Sequence, residues 1–264
     1  MKPERVVAFV GDTHVGSRVG LWPEGVYTPQ GQLIPPSKFQ LQILENFHNF
    51  CDLCDRHHVD TVIFTGDLLN GKNPAESGQH QMEADINFQK NVCSQALFRI
   101  IQNRKVLGVA GTEYHDARNG KLEQALIEEM NGKWLGPMAN LTLEGTRLTM
   151  NVCHGTGGSP VYDASLAEAN IKEALIAEAC NKMPHIDLFV RGHLHIFFYL
   201  QKINSGWLQV PCWQDFAPYK GIMRKIGKFQ PDIGGCIVHF YRDEYFVFKK
   251  LYPNPKVYQR SLQA

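Results

Sequence analysis

Short, continuous apolar runs alternate along most of this chain with longer stretches in which apolar positions recur at helical spacing. The runs at 6–10, 61–65, 105–110, 147–153 and 187–191 predict β-strands, and the segments near 38–58, 81–103, 120–131 and 163–182 predict helices. In the first helical segment Cys51 lies seven residues after Leu44 and Cys54 seven after Phe47, so both cysteines continue one apolar face. Strand and helix in alternation predict an α/β architecture with helices packed on sheet. From residue 196 onward the pattern turns to β only, with runs at 196–203, 207–210, 235–241 and 245–250, as a second sheet packed on the first would produce.

Two stretches fit neither period. Residues 17–37 hold Trp22, Tyr27 and four prolines, and residues 211–234 mix Trp213, Phe216, Tyr219 and Phe229 with Lys220, Arg224, Lys225 and Lys228. Loops longer than about 15 residues in a compact domain are functional or disordered as a rule. Their aromatic content argues against disorder. With no repeat, low-complexity tract or Ser/Gly/Pro linker, residues 1–264 are expected to form a single domain with a β-rich part from 196.

Composition narrows the partners. The 27 basic and 26 acidic residues exclude a polycation that holds nucleic acid by bulk charge, while leaving room for a local basic patch. No apolar run reaches the length of a membrane span, and the apolar run at 6–10 is too short for a signal peptide. Seven cysteines, an odd number without framework spacing, point to a reducing cytoplasm. A chain of 264 residues needs no metal merely to fold, so a metal site here reads as functional.

Each of the first five predicted strands runs into a polar cluster: Gly11-Asp12-Thr13-His14, Gly66-Asp67, Gly111-Thr112-Glu113-Tyr114-His115, His154-Gly155 and Gly192-His193-Leu194-His195. Ligands in open α/β sheets gather beyond the carboxyl ends of strands, so these clusters are expected to converge. Together they bring two carboxylates, five imidazoles and the candidate Glu113, a mixture suited to Zn²⁺, Mn²⁺ or Fe²⁺ rather than Ca²⁺. More donors are present than one tetrahedral ion uses, and two ions sharing a bridging carboxylate is the economical reading. Two dications exceed the charge of Asp12 and Asp67, which suits a phosphate ester. His48, His57, His58, His80, His185 and His239 have no comparable grouping and read as surface.

These motifs, over about residues 5–200, resemble the calcineurin-like metallophosphoesterase superfamily, whose order is DxH, GD, GNH, His-Gly and GHxH. The resemblance implies a four-layer αββα sandwich of two mixed sheets. It implies that Asp12, His14 and His195 hold one divalent metal ion, that His154 and His193 hold another, and that Asp67 bridges them. His115 would be the general acid, a role suited to imidazole. The chain departs at the third motif, where the usual Asn is missing. Glu113 or Thr112 is the expected replacement. The GTExH form, with Trp213-Gln214 and Gly234-Gly235, resembles a branch found in bacteriophage and prophage genomes.

The resemblance implies attack on phosphorus by a metal-bridging hydroxide, with no covalent enzyme intermediate. Protein phosphatases of this superfamily carry an arginine shortly after GD, and Gly66-Asp67-Leu68-Leu69-Asn70-Gly71-Lys72 has none, so they are disfavoured. A phosphodiesterase acting on nucleic acid or a nucleotide is the first expectation. A phosphomonoesterase, and a vestigial esterase serving as a protein-binding scaffold, are the alternatives. Trp22 and Tyr27 in the 17–37 loop offer faces for a base to stack on, unless that loop is packed by its own aromatics. Lys220 and Arg224 offer contacts to further phosphates, unless they form a solvated basic turn. No membrane is expected, and a homo-oligomer is left open.

Overall fold

The computed structural model describes residues 2–72, 81–115, 121–155, 163–215 and 230–254. In chain order the elements are β1 (Arg5–Val10), α1 (Lys38–Arg56), β2 (Thr61–Phe64), α2 (Ile86–Ile101), β3 (Lys105–Gly108), α3 (Lys121–Glu129), β4 (Lys133–Trp134) and β5 (Met138–Thr142). They continue with β6 (Thr149–Cys153), α4 (Asp163–Ala179), β7 (Leu188–Arg191), β8 (Phe198–Gln201), β9 (Gly206–Gln209), β10 (Ile233–Phe240) and β11 (Tyr245–Tyr252). One sheet has the order β11-β10-β1-β2-β3-β4 and the other β5-β6-β7-β9-β8. Within the first sheet β1 to β4 are parallel; within the second β6, β7 and β9 are parallel.

Alternation along the strands divides the apolar residues among three layers of core. Ala8 and Val10 of β1, with Val62, Phe64 and Val106, face Phe47, Phe50, Leu97 and Leu126 of the three helices α1 to α3. The opposite faces, Val7, Phe9, Ile63 and Leu107, meet Met150, Val152, Leu188, Val190 and Leu208 of the second sheet. Phe189 and Trp207 on that sheet's far side pack against Ala167 and Ile171 of α4. The order is therefore α, β, β, α, a four-layer sandwich of two mixed sheets. Strands buried on both faces read as continuous apolar runs, and each such side chain contributes about 1.5–3 kcal/mol by leaving water.

Helix ends follow local chemistry. Ser37 caps α1 in a reciprocal box with Gln40, and Cys51 and Cys54 lie on its buried face as the spacing predicts. α2 begins at Ile86 rather than near 81 because the Asp85 side chain accepts from the backbone of Asn87 and Phe88.

One expectation about the strands is corrected. The β-only region after 196 is not one sheet: β8 and β9 complete the second sheet, whereas β10 and β11 cross back to the first, with Val238 of β10 opposite Val7 of β1. Hydropathy marks these strands but not their partners. β4 and β5 carry no clear apolar run; β4 has two residues and β5 alternates exposed with half-buried positions at a sheet edge.

The 17–37 loop is fastened from below. Leu21, Trp22 and Val26 enter the first core, and the Trp22 indole N–H donates to the Ile34 carbonyl at 3.1 Å. All seven cysteines are free. No helix among the described residues is long and apolar enough to cross a membrane.

Candidate metal centre

The backbone does unusual work at the strand ends. Asp12 (φ 50°), His14 (φ 43°), Asp67 (φ 51°), His193 (φ 78°) and His195 (φ 56°) all occupy the left-handed region. Such conformations cost about 1–3 kcal/mol each in non-glycine residues and persist where the surroundings over-determine them. Here they turn side chains from strands of both sheets toward one place. Gly111 is needed for a related reason, since a Cβ there would collide with the Asp67 carboxylate.

Among the described residues, three donor groups have ligand atoms within 4.8 Å of one another: Asp12–His14–His195, His14–Asp67–His115 and Asp67–His154–His193. Shared members join them into one site. His195 Nε2 lies 3.1 Å from Asp12 Oδ1, and His14 Nε2 lies 3.7 Å from the same oxygen and 3.1 Å from His195 Nε2. His154 Nε2 lies 3.0 Å from Asp67 Oδ2 and 3.8 Å from Asp12 Oδ1. Asp12 and Asp67 are fully or almost fully buried, as are His14 and His154.

Second contacts fix which nitrogen faces inward. His154 Nδ1 meets the Thr65 carbonyl at 2.7 Å, leaving Nε2 for the site. His115 Nδ1 meets the Asn70 carbonyl at 2.8 Å, so its Nε2 points inward, 3.9 Å from Asp67 Oδ2. The His193 backbone N–H donates to Asp12 Oδ2 at 3.0 Å, and Trp213 N–H donates to the Asp12 carbonyl at 3.0 Å. At the end of β7 the buried Arg191 guanidinium donates to the Asn151 carbonyl and side-chain oxygen, tying β6 to β7 just before His154 and His193.

Charge follows from burial and crowding. Burial alone would lower His154, yet the Asp67 and Asp12 carboxylates outweigh it and push it up to about 10. Burial and the neighbouring imidazole of His115 pull His14 down to about 4. Burial opposes ionisation of Asp12 and Asp67, but the imidazoles around each hold both well below the usual carboxylate range. His195, a quarter exposed, rises because Cys212 and Asp12 outweigh its burial.

This arrangement fits divalent metal. Asp12 Oδ1 and His154 Nε2 are buried with no hydrogen-bond partner, and divalent ions held by the donor groups they belong to would satisfy them. Carboxylate and imidazole donors suit Zn²⁺, Mn²⁺ and Fe²⁺.

The remaining candidates divide. Glu113 is exposed and joins none of the three groups, so the structure does not bring it in as a ligand. Thr112 stands beside Asp67 instead, its N–H donating to Oδ1 at 2.6 Å and its hydroxyl 3.1 Å from both oxygens. Trp22 offers no stacking face: its ring is fully buried because the loop uses it as an anchor in the core. Tyr27 is 59% exposed. Lys220 and Arg224 lie outside the described residues.

Sequence reasoning missed Glu123. Its carboxylate is buried and accepts from Leu68 N–H and Gly111 N–H, each at 2.6 Å. Burial, then the charge of Asp67, push it up to about 8. The available signal was its spacing: three residues before Leu126 and four before Ile127, Glu123 sits on the apolar face of α3. His57 and His239, read as surface, meet each other at 2.9 Å against Phe248.

No protein-family model matches the chain, and no curated protein matches it. Solved structures do. A doubly substituted Vps29 from Entamoeba histolytica aligns at 14% identity over 94% of this chain and 93% of that one, with TM-score 0.51. GAP50, the anchor in the inner membrane complex of Plasmodium, aligns at 14% identity over 97% and 88%, with TM-score 0.51. An archaeal phosphodiesterase aligns at 13% identity over 93% and 99%, with TM-score 0.49. At such identities the two alignments at TM-score 0.51 show a shared α/β fold of two mixed sheets, and function rests on the site.

Proposed function

We propose that this chain is a metal-dependent phosphoesterase that hydrolyses a phosphodiester of nucleic acid or a nucleotide. The observation that carries the reading is a single buried site in which Asp67 and His14 are each shared between donor groups. Asp12, His14 and His195 would hold one divalent ion, His154 and His193 a second, with Asp67 between them. When bound, the ions would supply Lewis-acid charge for the phosphoryl oxygens and make water a nucleophile at neutral pH.

The chain's own groups do the rest. His14 and His195 converge on Asp12, so the left-handed turns at all three set the geometry before substrate arrives. His115, with Nδ1 held by the Asn70 carbonyl and its side chain 16% exposed, presents Nε2 where a proton can pass to a leaving oxygen. Thr112 steadies Asp67 in place of the missing Asn. The seven free cysteines fit a reducing compartment such as the cytoplasm. The GTExH form supports a place in the phage-type branch.

A second reading has its own support, because GAP50, which shares the fold, is named an anchor. A protein-binding scaffold would need none of the buried donors retained here. The deciding experiment is hydrolysis of bis-p-nitrophenyl phosphate by metal-stripped protein with and without Mn²⁺, beside Asp67→Asn and with p-nitrophenyl phosphate as the monoester. Turnover should require Mn²⁺, favour the diester, and fall in Asp67→Asn by more than the ~100-fold typical of losing a group that merely supports a ligand. Metal binding without turnover of either ester would favour the scaffold.

A further inference from the structure

Asp67 is the carboxylate shared by two of the donor groups, and it sits on the loop after β2, whose backbone is tied to the loop after β1 by bonds from Asp12, His14 and Val15 N–H. Residues 65–72 after β2 and 109–115 after β3 carry no helix, and they are tied to each other and to neighbouring segments by long-range bonds such as Val109 N–H to the Phe64 carbonyl and Ala110 N–H to the Gly136 carbonyl. Thr112 reaches Asp67 from the second loop through its N–H and hydroxyl. Whether Thr112 and Asp67 meet in register thus depends on how the two loops are fixed against each other.

Beside the direct His115–Asn70 contact, one side chain from a third element bridges the two loops. Glu123, near the start of α3, places Oε1 2.6 Å from the N–H of Leu68, the residue after Asp67. Its Oε2 lies 2.6 Å from the N–H of Gly111, the residue before Thr112. Each of the two N–H donors meets its own oxygen. The ionised carboxylate offers both acceptors and is favoured by these donors against the burial and Asp67 charge that raise it, whereas glutamine has one acceptor and an amide NH₂ that would face an N–H. Burying a carboxylate beside Leu122 and Leu126 is costly, so its presence at this point needs the compensation those two donors give.

We propose that Glu123 is the positioning residue for Asp67: it clamps the β2 and β3 loops together, and through them sets the affinity of the site for divalent metal. This rests on the metal reading above, and the test separates the two. Glu123→Gln keeps size and removes one acceptor. In metal-free protein of unchanged far-UV circular dichroism, amide exchange at Leu68 or Gly111 should speed up while amides of β1 stay protected. Calorimetric Mn²⁺ affinity should fall about 10–100-fold, the usual loss for a group behind a ligand. With bis-p-nitrophenyl phosphate at saturating Mn²⁺, kcat should fall and KM stay within twofold. Should Glu123→Gln fail to fold, Glu123→Asp, which keeps both acceptors on a shorter stem, takes its place with the same readouts.

Unchanged exchange at both amides together with Mn²⁺ affinity within twofold of wild type would overturn the clamp. If wild-type protein binds no Mn²⁺, it is the metal reading that fails; amide exchange alone then decides the clamp, faster exchange supporting it and unchanged exchange ending it.

Discussion

The two carboxylates of the site are supported in different ways. Asp12 Oδ1 faces three imidazoles, those of His195, His14 and His154, and takes no hydrogen bond from the protein; only its Oδ2 is held, by the His193 N–H. Asp67 has donors on both oxygens from Thr112, its loop is tied by Glu123, and His154 and His115 approach Oδ2. Both carboxylates sit on left-handed turns, and the first keeps one oxygen clear of hydrogen bonds to meet charge. The second is oriented by a hydrogen-bonded frame from Thr112 and, through Leu68, Glu123.

The largest expected effect tests the Asp12 side. Asp12→Ala removes the oxygen that three imidazoles face and leaves Asp67 as the one carboxylate of the three donor groups. Mn²⁺ stoichiometry by calorimetry should drop by at least one ion per chain, and metal-dependent diester turnover should vanish, a loss beyond ~1,000-fold. Retention of both ions with near-normal turnover would show that the imidazoles alone define this half.

A smaller effect separates Thr112 from Glu113 on the Asp67 side. Thr112→Val keeps the N–H bond but loses the hydroxyl that reaches both Asp67 oxygens, so Mn²⁺ affinity should fall roughly 10-fold. Glu113→Ala, at an exposed position outside every donor group, should leave affinity within twofold. The reverse order would make Glu113 a ligand after all.

Much of this was legible in the sequence because strand-end chemistry is local. Asp12, Asp67, His154 and His193 each follow an apolar run within a few residues, and the α/β rule that such ends converge does the rest. What the sequence hid depended on partners distant in the chain. The pattern of β10 is the same whether it joins β1 or β9. Trp22 lies in a polar, proline-rich loop and goes to the core because Ile34 and the helices leave a space for it. Glu123 reads as one more glutamate on a helix until the N–H groups of Leu68 and Gly111, drawn from two other loops, are placed opposite its oxygens.

The smallest effect concerns a control for the site, an imidazole between carboxylates that lies away from it. His185 Nδ1 is 2.9 Å from Glu178 Oε2 and its Nε2 is 3.6 Å from Asp187 Oδ1, so the two ring nitrogens serve different partners and no third donor converges. The Glu178 hydrogen bond raises His185 against a modest opposing burial. A group raised on folding contributes stability that is fully present below the unfolded value of about 6.5 and is lost as pH rises through the folded value. Its side chain is 41% exposed, so the contribution is screened. Wild-type protein should therefore lose a small increment of urea stability relative to His185→Gln as pH rises above about 6.5. Proton NMR titration of His185 should be indifferent to Mn²⁺-site occupancy when diamagnetic Zn²⁺ is used, whereas the imidazoles beside Asp12 and Asp67 should respond. A Zn²⁺-dependent shift of His185, or a pH trend of the opposite sign, would mean that imidazole–carboxylate pairing in this protein does not separate structural from metal-holding histidines.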